Sequence, residues 1–390
     1  MVTINNDDNY ENENILVIDK IKLLFDRYNQ KKIKQKYLKR KLTSYAKISG
    51  FINNIYRKQA WNLLVHTSSD EYTTDINQIE SHQYYEQIKL DVIRTLKRFP
   101  PNYSDSERSE LQDELILIIT KILIKHEELH YYQGYHDISL TFLLVLGEDL
   151  CLPVIDSITM SHLKYFMEPT MEKTRDSLLY LMPLINCINS ECAEYMERGD
   201  VGHVIFALPW FITWYSHVLD DLPVILRLYD LFIVSHFLMP IYVAAEIVNY
   251  HADEILSKPC EMASLHQYLS YLPTEIDENT WEEIIRRALY LFENHHPDTL
   301  ENLNHEWKIK CEYIENSSNK SIIRQRFDKN NNYNKQNLSQ KSSTLSRIAF
   351  WGVTLTIGGL AIYLWNQTQL LDSTKFINLG DFLTQLYRTQ

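Results

Sequence analysis

The chain has 390 residues, room for two or three domains at roughly 100–200 residues each. Hydrophobic residues make up 45% and charged residues 23%, a globular balance that excludes global disorder and collagen-like repeats. Net charge is −12, split between an acidic N-terminus (−5 over 1–19), an acidic body (−23 over 49–319), two basic flanks (+10 over 20–48, +6 over 320–347) and a neutral tail, so a nucleic-acid partner is not expected.

Residues 1–14 are polar and acidic, unlike a secretory signal or transit peptide, and read as disordered. In 15–49, Ile18, Ile21, Phe25 and Tyr28 recur at helical spacing. That helix leads into the basic stretch QKKIKQKYLKRK, expected to be a solvated face. From about Gly50 to 315 the pattern is repeatedly helical, and no segment keeps a two-residue alternation. Nine glycines in the whole chain also argue against a hairpin-rich β fold. The runs 114–124 and 203–219 are apolar nearly all round, as in helices buried within a bundle. Five cysteines without a CxxC pair argue against a disulfide framework or a cysteine zinc site.

Residues 316–345 form a polar, Asn- and Lys-rich linker. A transmembrane helix is expected over 346–366, where Ile348 to Trp365 carry no charge over about 27 Å of helix. Lys341 and Arg347 lie on its N-terminal side, and Trp351, Tyr363 and Trp365 near its ends. The positive-inside rule then puts the N-terminal body in the cytosol. A short tail, 367–390, follows.

Three local patterns bear chemistry. In Ile88-x-x-Asp91-x-x-Arg94, a helix would present Arg94 on a polar face one turn from a carboxylate. In Tyr131-Tyr-Gln133-Gly134, the glycine suggests a sharp turn from which Gln133 projects. His126-Glu-x-x-His130, with His136 beyond, has the outline of a zinc-protease site. That site needs a glycine where Gln133 stands, so no metal is assigned.

An I-x-x-D-x-x-R helix followed some forty residues later by Y-x-Q-G resembles the TBC domain of Rab GTPase-activating proteins. Gly50…Arg57…Trp61 is similar to that family's opening segment, and 206–233 to its W-F…L-R-L-W-D block, with Tyr229 where tryptophan is usual. The resemblance covers roughly 50–300. It implies an all-α TBC-type helical bundle over 50–315, beside the single C-terminal transmembrane helix. It implies a GTPase activator, not an enzyme acting alone. Arg94 would be the arginine finger and Gln133 the glutamine finger, supported by Asp91, Tyr131 and Gly134. The partner would be a Rab-family small GTPase in its GTP form, which carries the GTP and Mg2+. No cofactor of the chain's own is implied, and no GxxxxGK[ST] loop occurs. The implied setting is ER–Golgi traffic, anchored in the endoplasmic reticulum membrane. The alternatives are a non-catalytic Rab-binding scaffold and, further off, the zinc protease.

Overall fold

The computed structural model describes residues 6–314, apart from 66–71, 74, 98 and 101–102. Every regular element among these is helical. The chain runs through α1 (Asn6–Asn29), α2 (Gln35–Ile48), α3 (Asn54–Leu64), α4 (Ile76–Glu80), α5 (Tyr85–Leu96), α6 (Asp105–Lys125), α7 (Tyr135–Leu146) and α8 (Glu148–Ile158). It continues with α9 (Glu172–Leu178), α10 (Leu181–Ile188), α11 (Ser190–Arg198), α12 (Leu208–Ile212), α13 (Leu222–Phe232), α14 (Met239–Tyr250), α15 (Ala252–Ser257), α16 (Met262–Ser270) and α17 (Glu278–Asn294). A further helix covers 300–314. The linker, the apolar run and the tail lie outside the described residues. Among the described residues no helix is long and apolar enough to cross a membrane.

One difference from the sequence reading stands out at the N-terminus. α1 begins at Asn6, inside the segment expected to lack structure. Helix growth costs little once the amphipathic stretch from Val17 to Tyr28 has nucleated it. The apolar residues of 15–49 join the main core: Ile21, Phe25, Leu38, Leu42 and Ala46 are buried with the rest. The segment's lysines face outward, while Phe25 stacks on Tyr56 of α3 at 6.2 Å.

The apolar run 114–124 forms the buried end of α6, as expected. The run 203–219 is buried but is not one helix. It folds as a 3-10 turn, the five-residue α12, and a set of tight turns. Trp214 and Tyr215 both take positive φ, 49° and 68°, which a right-handed helix cannot contain. Each such residue costs on the order of 1–3 kcal/mol. The cost is offset by burial of Trp214 against Phe142, Tyr229 and Phe232, and by a 2.9 Å hydrogen bond from the Tyr215 hydroxyl to the Pro240 carbonyl.

One polar cluster ties the first third of the chain to α13. The Asp230 carboxylate is fully buried and accepts from Arg57 Nε and Nη2 at 3.0 Å each. It also accepts from the Trp61 indole at 2.8 Å and the Phe51 amide at 2.9 Å. One turn earlier, Arg227 donates to the carbonyls of Ala46 and Lys47 at the end of α2 and to Glu282 of α17. Gly50 lies between these two side chains. With φ at +67°, a Cβ there would meet Arg227 Cδ at 2.7 Å and Asp230 Oδ2 at 2.9 Å. The spacing of Gly50, Arg57, Trp61, Arg227 and Asp230 in the sequence is thus the spacing of one buried joint.

Removing one partner of a buried pair leaves the other charge uncompensated. Asp230→Ala is therefore expected to lower folding stability by about 3–5 kcal/mol. Denaturant unfolding of the variant against the parent measures it. A loss under about 1 kcal/mol, the scale of an exposed ion pair, would show that the joint is not a major support.

Candidate functional site

Helix α5 carries the first half of the site. Ile88, Val92 and Leu96 pack into the core, and Asp91 is buried with them at 1% exposure. Arg94, one turn on, keeps 54% of its side chain exposed. Arg108 of α6 fixes the end of this helix by donating to the carbonyls of Leu96, Pro100 and Tyr103. The Arg94 guanidinium stands 3.6 Å from Asp91 Oδ1. That distance is an ion pair without a hydrogen bond. Asp91 Oδ1 makes no hydrogen bond among the described residues. The carboxylate thus orients the arginine without engaging its donors.

The loop before α7 carries the second half. Gly134 is the N-cap of α7 at φ +116°, the sharp turn that its place in the sequence suggested. A Cβ at Gly134 would lie 2.7 Å from Thr213 Cγ2, so this loop packs directly on the end of α12. The residues before the glycine are pinned. The Tyr132 hydroxyl donates to the Ile212 carbonyl at 2.8 Å, and its ring meets Phe166 edge-on. The His130 amide donates to the Met167 carbonyl at 2.8 Å. Gln133 is half-buried, and its carboxamide makes no hydrogen bond among the described residues. The loop is therefore held at its neighbours, with the amide left free.

Tyr131 joins the halves. Its hydroxyl lies 3.2 Å from Asp91 Oδ2, which also accepts from Gln87 at 2.9 Å. Tyr131 precedes Gln133 by two residues, and Asp91 precedes Arg94 by three. The two motifs, some forty residues apart in the chain, thus meet on one side of the bundle. Burial pushes the Tyr131 phenol well above its ordinary value, and the charges of Asp91 and Asp137 push it further, so it remains a donor.

Sequence reasoning missed the layer beneath. His136 bridges Tyr131 at 2.9 Å and Thr95 at 3.0 Å. Thr95 reaches Asp137 Oδ1 at 3.0 Å, and His217 reaches Asp137 Oδ2 at 2.9 Å. Thr95 is the residue after Arg94, and His136 and Asp137 open α7 just after the glycine turn. That adjacency was the available signal. Burial alone would raise the Asp137 carboxyl. The neighbouring His136, then His217 and Thr95, outweigh it and hold the group well below the usual carboxylate range. Its place in the first turn of α7 acts in the same direction.

The zinc-protease outline dissolves in the structure. Helix α6 ends at Lys125, and His126 is its non-helical C-cap, so residues 126–130 do not share a helical face. His126 Nε2 lies 2.6 Å from Asp156 Oδ1, and His130 Nδ1 lies 2.7 Å from the Tyr84 hydroxyl. His136 is committed to Tyr131 and Thr95. Among the described residues no group of His, Cys, Asp and Glu is disposed to hold a metal ion.

The depressed Asp137 carboxyl fixes the sign of a pH effect. Its contribution to stability is complete above the unfolded value, about 4, and is lost as pH falls through and below it. Asp137→Asn is expected to melt lower than the parent at neutral pH, with the gap closing as the solution is taken below about pH 4. Thermal unfolding at both ends of that range checks it. A gap that stays constant with pH would remove the assigned role.

Residues 54–256 match the Rab-GTPase-TBC domain family. TBC1 domain family member 20 of Bos taurus is 44% identical over 253 residues, 64% of this chain and 62% of that protein. Its Homo sapiens counterpart is 43% identical with the same coverage. The GTPase-activating protein gyp10 of Schizosaccharomyces pombe is 31% identical over 239 residues, 59% of this chain and 62% of that one. The chain thus spans just over three fifths of the length of these relatives. Among solved structures, the Chlamydomonas flagellar RabGAP TBC domain aligns with a TM-score of 0.54 at 13% identity, over 74% of this chain and 96% of that one, a likeness of fold. With over half its length matched to the family, and with the opening, arginine, glutamine and α13 segments in place, the chain belongs to the Rab-GTPase-TBC domain family.

Proposed function

We propose that this chain activates a Rab-family small GTPase, supplying Arg94 and Gln133 in trans to the bound GTP. The observation that supports this most is the Tyr131–Asp91 contact, which brings the two finger motifs to one side with an exposed guanidinium and an unengaged carboxamide. The name of the yeast relative, a GTPase-activating protein, accords with it.

The chemistry follows from the side chains. Negative charge spreads over the γ-phosphate oxygens as the phosphoryl group transfers. A guanidinium is always protonated, and its planar fork meets two oxygens at once. A carboxamide both donates and accepts, so it can orient the attacking water. Asp91 aligns Arg94, Tyr131 holds Asp91, and Gly134 shapes the turn that presents Gln133. The nucleotide and its Mg2+ arrive on the GTPase, so the chain needs no cofactor of its own.

The test is single-turnover hydrolysis by a panel of GTP-loaded Rabs mixed with the chain. Arg94→Ala is expected to cost about 10³–10⁵ in stimulated rate, or about 4–7 kcal/mol of barrier. Arg94→Lys should recover little, and Gln133→Ala should be severe. Binding of a GTP-loaded Rab with no acceleration would instead identify a non-catalytic scaffold.

We further propose that the apolar run 348–365 anchors the chain in the endoplasmic reticulum membrane, in the service of ER–Golgi traffic. The run is uncharged and only just long enough to span, which suits a thin bilayer. Confining activator and lipid-tethered GTPase to one surface raises their effective concentration. Alkaline extraction of membranes checks the anchor: retention in the pellet is expected, and release to the supernatant would rule it out.

A further inference from the structure

We infer that the water-facing side of the α1–α2 hairpin is a docking surface for anionic lipid, on which the exposed cations of 31–41 and a stripe of leucines and cations on α1 meet negatively charged headgroups. The inference goes beyond the finger assignment and depends neither on it nor on the proposed anchor.

From Arg27 to Ile48 the chain has nine lysines and arginines and no aspartate or glutamate. Folding turns most of them outward. Leu38, Leu42 and Ala46 of α2 are buried, so the opposite face of that helix carries Lys36, Tyr37, Arg40 and Lys41. The Arg40 guanidinium and the Lys41 ammonium both lie over the Tyr37 ring, at 5.5 and 6.0 Å. Lys31, Lys32 and Lys34, in the connection between the helices, are exposed as well. Among the described residues none of these six cations has a carboxylate partner.

Stability does not account for the clustering. Lys36 and Arg40 are like charges at i,i+4, which weakens a helix. The C-terminus of α1 carries about half a negative charge, enough to balance at most one of the lysines beside it. The excess has its counter-charge outside the chain.

α1 packs on α2, and both bury their inner sides in the one core, so their outer sides face away from it together. On α1, Leu16, Lys20, Leu23 and Arg27 recur at i, i+4, i+7 and i+11, a single stripe. All four are exposed, the leucines at 53% and 56%. Asp19 and Asp26 fall on the flank of this stripe. Single exposed leucines are ordinary. Leucines alternating with cations along a water-facing helix are the pattern of one that lies in a headgroup layer. That pattern decides between lipid and an acidic protein segment. Cations alone would suit either, but the leucines need an apolar layer beside the negative charge.

The experiment follows lysine acylation, site by site, on the full chain brought into vesicles by detergent removal. The vesicles are phosphatidylcholine alone or phosphatidylcholine with phosphatidylserine. Lys31, Lys32, Lys34, Lys36 and Lys41 are expected to react about fivefold more slowly, or slower still, on the anionic vesicles at low salt. Molar salt should restore them. Lys97, exposed at the end of α5 beside the proposed fingers, should react alike on both. A variant with Lys31, Lys32, Lys34 and Lys36 all changed to Gln removes only exposed, unpaired charges. Its contact with the anionic surface should weaken about fivefold per charge, and Lys41 should regain its neutral-vesicle rate. Equal rates on both vesicles identify a solvated face and overturn the inference. So does equal slowing of Lys97, or slowing that needs a GTP-loaded Rab and not phosphatidylserine. Flotation reads the anchor separately. A chain that floats only with phosphatidylserine loses the anchor and keeps this inference. One that floats with both vesicles and shows no lysine protection keeps the anchor and loses the inference, and one that floats with neither loses both.

Discussion

A single carboxylate, Asp230, sets the frame on which the site depends. It is fully buried and collects four close donor contacts from the Phe51 amide, Arg57 and Trp61. A buried charge is tolerable only when it is paired and its remaining lone pairs are filled, and Asp230 meets both conditions. Its donors come from residues more than 160 positions earlier, so the ion pair fixes register between the two ends of the domain. The joint also explains a backbone feature. Gly50 must lack a side chain because Arg227 and Asp230 occupy the space where its Cβ would stand.

From that joint the constraint travels through aromatic packing. Trp61 contacts Phe142 of α7 at 5.1 Å and stacks on Tyr229 of α13 at 6.2 Å. Tyr229 takes the position where the family resemblance leads one to expect tryptophan, and it meets Trp214 edge-on at 5.3 Å. Trp214 in turn sits one residue after Thr213, whose methyl would collide with any side chain at Gly134. Interiors packed at this density transmit position rather than absorb it. The loop that presents Gln133 is thus located by contacts that begin at Asp230.

The parts of the molecule that were legible in the sequence are those with local causes. Helical periodicity is a property of each segment alone, and it gave the all-α class. The i,i+3 spacing of Asp91 and Arg94 and the turn at Gly134 are likewise local, and the structure has both. What escaped depended on partners far away in the chain. The run 203–219 has the composition of a buried helix. It breaks because Trp214 and Tyr215 are held at positive φ by aromatic neighbours from α7 and α13. His126, His130 and His136 have the spacing of a metal site. They separate because α6 stops at Lys125, and Asp156, Tyr84 and Thr95 each take one imidazole. Spacing suggests a shared face only while the helix continues.

The division between buried support and exposed chemistry has a mechanical meaning under the proposed function. A group that stabilises developing charge works best when its surroundings need not reorganise during the reaction. Here Asp91, Tyr131, His136, Thr95 and Asp137 are buried and mutually bonded before any partner arrives. What remains free is the far end of Arg94 and the Gln133 carboxamide. Ordering those two side chains costs on the order of 1.5–2 kcal/mol each, small beside the barrier reduction assigned to an arginine finger. The 3.6 Å contact between Arg94 and Asp91 fits this arrangement. A tight bidentate pair would have to be broken before the guanidinium could turn to phosphate, whereas a loose ion pair orients the side chain and leaves its donors available.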